Sequence, residues 1–88
     1  MDDVTVTGTA AGIFEVTVRS GDRTTTHRVT VPEGYPGELG WAPGSTAELV
    51  RASFGFLLER EPAGSILPSF ELPVIARYFP EYPAEIRP

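Results

Sequence analysis

The sequence predicts an α+β fold: an N-terminal antiparallel β-meander of about three strands, then a Pro/Gly-rich loop, then two helices packed on one face of the sheet. Three observations predict it. Apolar and polar residues alternate with period two through the first third of the chain. Three prolines and four glycines crowd into residues 32–44. Beyond them the apolar residues recur at helical spacing from residue 46 onward.

The strands come first. In "IFEVTVRS" the residues Phe14, Val16 and Val18 point one way while Glu15, Thr17 and Arg19 point the other, and "THRVTV" repeats the pattern through His27, Val29 and Val31. Gly21-Asp22 between them suits a two-residue type II′ turn, with glycine in the first central position. That turn fixes the register. Arg19 faces Thr24, Val18 faces Thr25, Val16 faces His27, Glu15 faces Arg28 and Phe14 faces Val29, which joins apolar residues on one face and opposite charges on the other. The "VTVT" from Val4 to Thr7 alternates as well, and "GTAAG" reverses the chain before Ile13, so a third strand joins the meander.

Residues 32–44, "PEGYPGELGWAPG", read as a loop through which neither a helix nor a central strand runs. Tyr35, Leu39 and Trp41 are its apolar pegs. Ser45 followed by Glu48 has capping-box spacing and starts a helix that should run to about residue 61, where Pro62 stops it. A shorter helix is expected over "PVIARYF", with Pro73 in its first turn and Pro80 at its end. The tail continues in extended or turn-like fashion, pinned by Tyr82 and Ile86.

The long helix is apolar most of the way round. Its polar members Glu48, Arg51, Gly55 and Glu59 fall within an arc of about 80°, narrower than a surface helix needs. Either the second helix and the loop cover the remaining flank within the same chain, or another chain does. The second possibility places a protein interface on Tyr35, Trp41, Val50, Phe54, Leu57 and Leu58, with self-association or capture of another protein as its purpose.

Composition excludes more than it assigns. Eighty-eight residues suit a single domain (1–88) that hides roughly 60 to 65% of the surface its unfolded chain exposes. Cysteine is absent, which removes disulfides and thiolate chemistry and makes a reducing cytoplasm the expected location. All seven basic residues are arginine, consistent with GC-rich bacterial coding, so no lysine is present for Schiff-base or phosphate-loop chemistry. The formal charge of −5 opposes non-specific attraction to nucleic acid or anionic lipid, and no signal peptide or membrane-spanning run is visible. His27, the single histidine, is expected on the inward face, away from Ser20 and Asp22 at the hairpin tip. One histidine and scattered carboxylates make no zinc site, and neither "GYPGELG" nor the paired acids Glu59/Glu61 and Glu81/Glu85 form a recognisable cofactor or acid-base motif. The expectation is a non-catalytic domain with no cofactor, working by protein–protein contact and as a homodimer.

One resemblance supplies an alternative. A strand with alternating polar residues, then "VPEGYPGEL", then "STAELVRASFGFLLER" resembles, over residues 24–60, the ribbon-helix-helix repressors and antitoxins. In that family two chains pair their strands and outward polar strand residues read the major groove. The resemblance implies DNA contact through Thr26, Arg28 and Thr30, with Ser45 near a phosphate. The C-terminal "FELPVIARYFPEY" also resembles segments of small bacterial open reading frames, which implies no function.

Overall fold

The structure, a computed structural model, describes residues 2–88. It is α+β, with a four-stranded mixed sheet in the order β1 (Asp2–Ala10), β2 (Ile13–Ser20), β3 (Arg23–Thr30) and β4 (Ser69–Glu71). The first three strands run antiparallel and β4 lies parallel to β3. Four helices, α1 (Tyr35–Glu38), α2 (Thr46–Leu58), α3 (Ile75–Tyr78) and α4 (Tyr82–Glu85), accompany 3-10 turns at Ala63–Ser65 and Leu72–Val74.

The β2–β3 register is the expected one at all five positions, from Arg19 opposite Thr24 to Phe14 opposite Val29. Gly21 has φ +64° and, among the described residues, none other than glycine has positive φ, the signature of a II′ turn with glycine first. Between β1 and β2 the register shifts at Gly8–Ala10, and Gly12 follows with φ +71°. The Val31 amide donates to the Gly12 carbonyl at 2.7 Å, and a β-carbon on Gly12 would lie 2.9 Å from the Val31 carbonyl oxygen. Only glycine lets the two backbones approach so closely.

Three expectations are corrected. Residues 32–44 do contain a helix: α1 is a single turn, with Pro36 inside the first turn where its missing amide goes unused. Gly34 and Gly40, both with φ above +80°, bracket that turn. Ser45 is the residue before α2, yet its side chain makes no capping hydrogen bond, because φ −98° and ψ 17° depart from the extended conformation a serine cap adopts. Finally, α2 ends at Leu58, three residues early; the amides of Arg60 and Glu61 both turn back to the Leu57 carbonyl, and Pro62 excludes helical geometry from the residue before it.

The second helical segment appears where Pro73 predicts it, as the 3-10 turn Leu72–Val74 running into α3. Tyr82 and Ile86 are both buried and pin the tail, which takes the form of the helical turn α4. The strand β4 has no counterpart among the expected elements. It is held by the Arg28 amide, which donates to the Pro68 carbonyl at 2.8 Å.

Val16, Val18, Val29, Leu49, Val50, Phe54, Leu72 and Tyr82 are fully buried and make the centre of the core. Each such aliphatic or aromatic side chain contributes about 1.5–3 kcal/mol when withdrawn from water. Phe54 reaches His27 on β3 and Phe70 on β4, at ring separations of 5.3 and 6.0 Å. Phe56, two residues on, meets Phe79 and Tyr82 edge-on at 5.8 and 5.2 Å. The helix is therefore wrapped from two sides by its own chain. Among the described residues no helix is long and apolar enough to cross a membrane.

Candidate functional site

Residues expected at an interface separate into two groups. Val50, Phe54 and Leu57 are buried inside the protomer, although Leu57 also lines the floor of an apolar cleft. The apolar flank of α2 is taken up by Phe70, Phe79 and Tyr82, which arrive from segments whose path the helix pattern alone does not reveal. Tyr35, Trp41 and Leu58 remain half-buried. The Trp41 indole donates to the Ile86 carbonyl at 2.9 Å and so fastens residues 32–44 to the tail. Burial raises the Tyr35 phenol above its ordinary pKa, and the nearby Glu38 carboxylate adds to the rise.

Thr26 and Arg28 are exposed on β3 and Thr30 is half-buried, all three on the face opposite the buried Val29. Arg28 faces Glu15 across the strand pair. Both edges of the Arg28–Thr30 stretch carry a neighbour, β2 on one side and β4 on the other. Ser45 stands on another element, half-buried at the start of α2.

A different surface holds an apolar cleft. Leu57, Ile66 and Ile75, all buried, and Phe70, half-buried, line a cleft of about 240 Å³ between the end of α2, the approach to β4, and α3. Its rim carries Leu67, 44% exposed, and Tyr78, 67% exposed, the two large apolar side chains that stand most in solvent among the described residues. Glu61 and Ser65 supply a polar margin. An opening of this size and lining suits one large apolar side chain, since a charged ligand would find few partners for its polar groups.

His27 holds the rim. Its Nδ1 lies 2.8 Å from the Leu67 carbonyl and its Nε2 lies 2.9 Å from the Thr25 hydroxyl. A carbonyl only accepts, so Nδ1 carries the proton, and in the neutral ring Nε2 accepts from Thr25. The ring is buried with both nitrogens engaged, which leaves it no free nitrogen with which to attack or abstract. Ser20 and Asp22 stay at the far tip of the hairpin.

Just past the same C-terminal end of α2 lies an electrostatic clamp. The Arg60 guanidinium stacks 3.6 Å above the Phe56 ring and forks to Glu81 at 3.2 Å and Glu85 at 3.1 Å, joining α2 to α4. Partial desolvation pulls the Arg60 pKa down, but the two carboxylates outweigh it and the net shift is upward. Glu81 is held below the ordinary carboxylate value, first by its own backbone amide and, against a desolvation that raises it, by Arg60. Among the described residues no group of three or more histidine, aspartate or glutamate side chains is placed to hold a metal ion.

Comparison with known proteins returns no match: no family model fits the chain, and no curated protein and no solved structure is significantly similar to it. The cleft was not anticipated from sequence. Leu67 and Tyr78 are single apolar residues in proline-punctuated segments, and the available signal was only that "SILPSF" and "ARYF" hold more large apolar residues than two short connectors need.

Proposed function

We propose that this is a small non-catalytic domain of a reducing cytoplasm that works by protein–protein contact, self-associates as a homodimer, and seats an apolar side chain of a partner in the cleft beneath Leu67 and Tyr78. The observation that carries the reading is the exposure of those two residues on the rim of an apolar cleft, where the other large apolar side chains among the described residues are more deeply covered. Exposed apolar patches with polar margins are the usual mark of association surfaces. In this reading the helices cover the Val16/Val29 face of the sheet and leave its threonine-rich face to solvent. The buried, doubly bonded His27 supports a non-catalytic role.

The test is selection from a random displayed peptide library against the wild-type domain and against a Leu67→Glu/Tyr78→Glu variant. Both changes are on the surface and leave the core intact. Peptides sharing one large apolar anchor, retained by the wild type and lost by the variant, are expected, with peptide-induced amide shifts of the domain centred on residues 66–79. Enrichment indifferent to the variant refutes the cleft.

A ribbon-helix-helix-like DNA reader is the weaker reading. It draws on the exposed Thr26 and Arg28, but needs β3 to pair with a second β3, and β2 and β4 occupy the edges on which such a ribbon would form. Salt-sensitive retention of a duplex, abolished by Arg28→Ala, would restore it.

A further inference from the structure

The sheet has one long free edge. β1 spans nine residues and has β2 on one side only, with no strand on the other among the described residues. The Arg51 guanidinium reaches the Val4 carbonyl at 2.6 Å, which shows that the Val4 backbone groups face away from β2. The antiparallel alternation then turns the groups of Val6 and Gly8 outward as well. Exposed edges of this length are templates for another strand unless lysine, proline or a bulge blunts them. Here the blunting is slight: the bulge begins only at Gly8, and residues 2–7 contain neither lysine nor proline.

Beside this edge stands a glycine that the protomer itself does not explain. Gly55 is exposed in the middle of α2, where glycine is the worst helix former after proline. A β-carbon built on it meets nothing within 4 Å, and its φ is negative, so neither crowding nor backbone geometry within the chain demands glycine. Together with Arg51 it lines a recess of about 590 Å³ against Asp3, Val4 and Thr5 of β1 and Thr17 and Arg19 of β2. A missing side chain at the lip of a free strand edge is what close approach of a second backbone requires.

We infer that β1 pairs antiparallel with β1 of a second copy, joining two four-stranded sheets into one of eight strands, with Gly55 leaving room for the incoming chain. The inference rests on the self-association proposed above and names its surface. The strand sequence is complementary to itself. With the two-fold axis at Thr5, Val4 lies opposite the partner's Val6, Thr5 lies opposite the partner's Thr5, and Asp3 lies opposite the partner's Thr7. Outward-facing Val4 and the partner's Val6 exchange both backbone hydrogen bonds, the half-covered Val4 and Val6 side chains extend the apolar face of the sheet, and no charge meets its like. Arg51 yields the Val4 carbonyl to the partner's Val6 amide, one donor for another.

The test combines light scattering on a sizing column over a range of concentrations with single-cysteine variants, which give unambiguous products because the chain has no cysteine of its own. The wild type is expected to reach twice its 9.5 kDa protomer mass. Thr5→Cys is expected to oxidise to a linked dimer far faster than Thr7→Cys, because directly opposite β-carbons lie about 4.5–5.5 Å apart, whereas residue 7 lies opposite position 3 of the second copy, four residues from that copy's residue 7. Gly55→Leu, which fits the protomer without contact, and Val6→Pro, which removes only an outward amide, are each expected to weaken dimerisation at least about tenfold with an unchanged circular dichroism spectrum. A dimer that withstands both substitutions, or that links no faster through residue 5 than through residue 7, overturns the edge pairing while leaving self-association in place. A protomer-sized mass at every concentration overturns both.

Discussion

Ser53 and Tyr82 form a buried polar pair inside an otherwise apolar core, and its wiring predicts an asymmetric response to mutation. The Ser53 hydroxyl lies 2.7 Å from the Leu49 carbonyl and 2.7 Å from the Tyr82 oxygen, and both residues are fully buried. A carbonyl only accepts, so the single serine proton goes to Leu49 and the tyrosine donates to Ser53. Tyr82→Phe removes one hydrogen bond and orphans no donor, at a cost of about 1 kcal/mol. Ser53→Ala strands the phenol proton in a dry core, which costs about 1–3 kcal/mol, offset by roughly 0.5 kcal/mol from the better helix propensity of alanine. With both groups gone nothing is left unsatisfied, so the double variant should cost less than the sum, with a coupling of about 1–2 kcal/mol. Urea unfolding followed by circular dichroism measures all three. The pair also leaves an alkaline signature. Burial raises the Tyr82 pKa in the folded state, so the unfolded chain loses its proton first; the stabilisation is complete below about pH 10 and is lost as pH rises beyond it. Tyr82→Phe should remove that part of the alkaline slope, leaving the smaller part due to Tyr35. A serine substitution no costlier than the tyrosine one, or an additive double variant, would refute the assigned proton directions, and an unchanged alkaline slope would refute the burial of the phenol as the source of that slope.

Two further predictions concern α2. Phe54→Ala, at a fully buried ring packed between His27 and Phe70, should cost about 3–5 kcal/mol in the same unfolding measurement, a large share of the stability of a domain this size. Arg60→Ala should raise the Glu81 pKa towards its ordinary value, read by carboxyl NMR titration, and speed amide exchange at Ile86, whose amide closes α4 onto the Tyr82 carbonyl. Because Glu81 is depressed in the fold, the stabilisation it brings is present above the unfolded carboxylate pKa and is lost as pH falls, and the variant should lose less on acidification.

The hairpin was legible because two independent signals agree: Gly21-Asp22 fixes the turn, and the alternation through Val16, Val18, His27 and Val29 permits only the register that turn imposes. Where one signal stood alone, reading failed or stopped short. Ser45-x-x-Glu48 marks the start of α2 correctly, yet the capping bond depends on a backbone conformation that the neighbouring Gly44 and the preceding turn decide. The prolines and glycines of residues 32–44 forbid a long helix but admit the single turn of α1. Three residues, "SFE", carry no periodicity at all, and what makes them a strand is the pairing with the neighbouring β3, distant in sequence, which the Arg28–Pro68 hydrogen bond begins. The same holds for the cleft. Whether Phe54 or Tyr78 is left in solvent is settled by where Phe70 and Tyr82 return, and helix periodicity is silent on that.

The late return of β4 sets an order of events as the chain leaves the ribosome. β1, β2 and β3 are joined by tight turns and can pair as soon as they emerge, but the His27–Leu67 bond spans forty residues and the parallel pairing beside it must wait for them. Closing a loop of that length costs about 3 kcal/mol in chain entropy, recovered only when Phe54, Phe70 and Leu72 arrive together. Until then the nascent meander holds its valines bare. A protein stalled or clipped before the SILPSF segment would thus expose both a sticky sheet and an unwrapped helix, the condition that quality-control proteases and chaperones recognise.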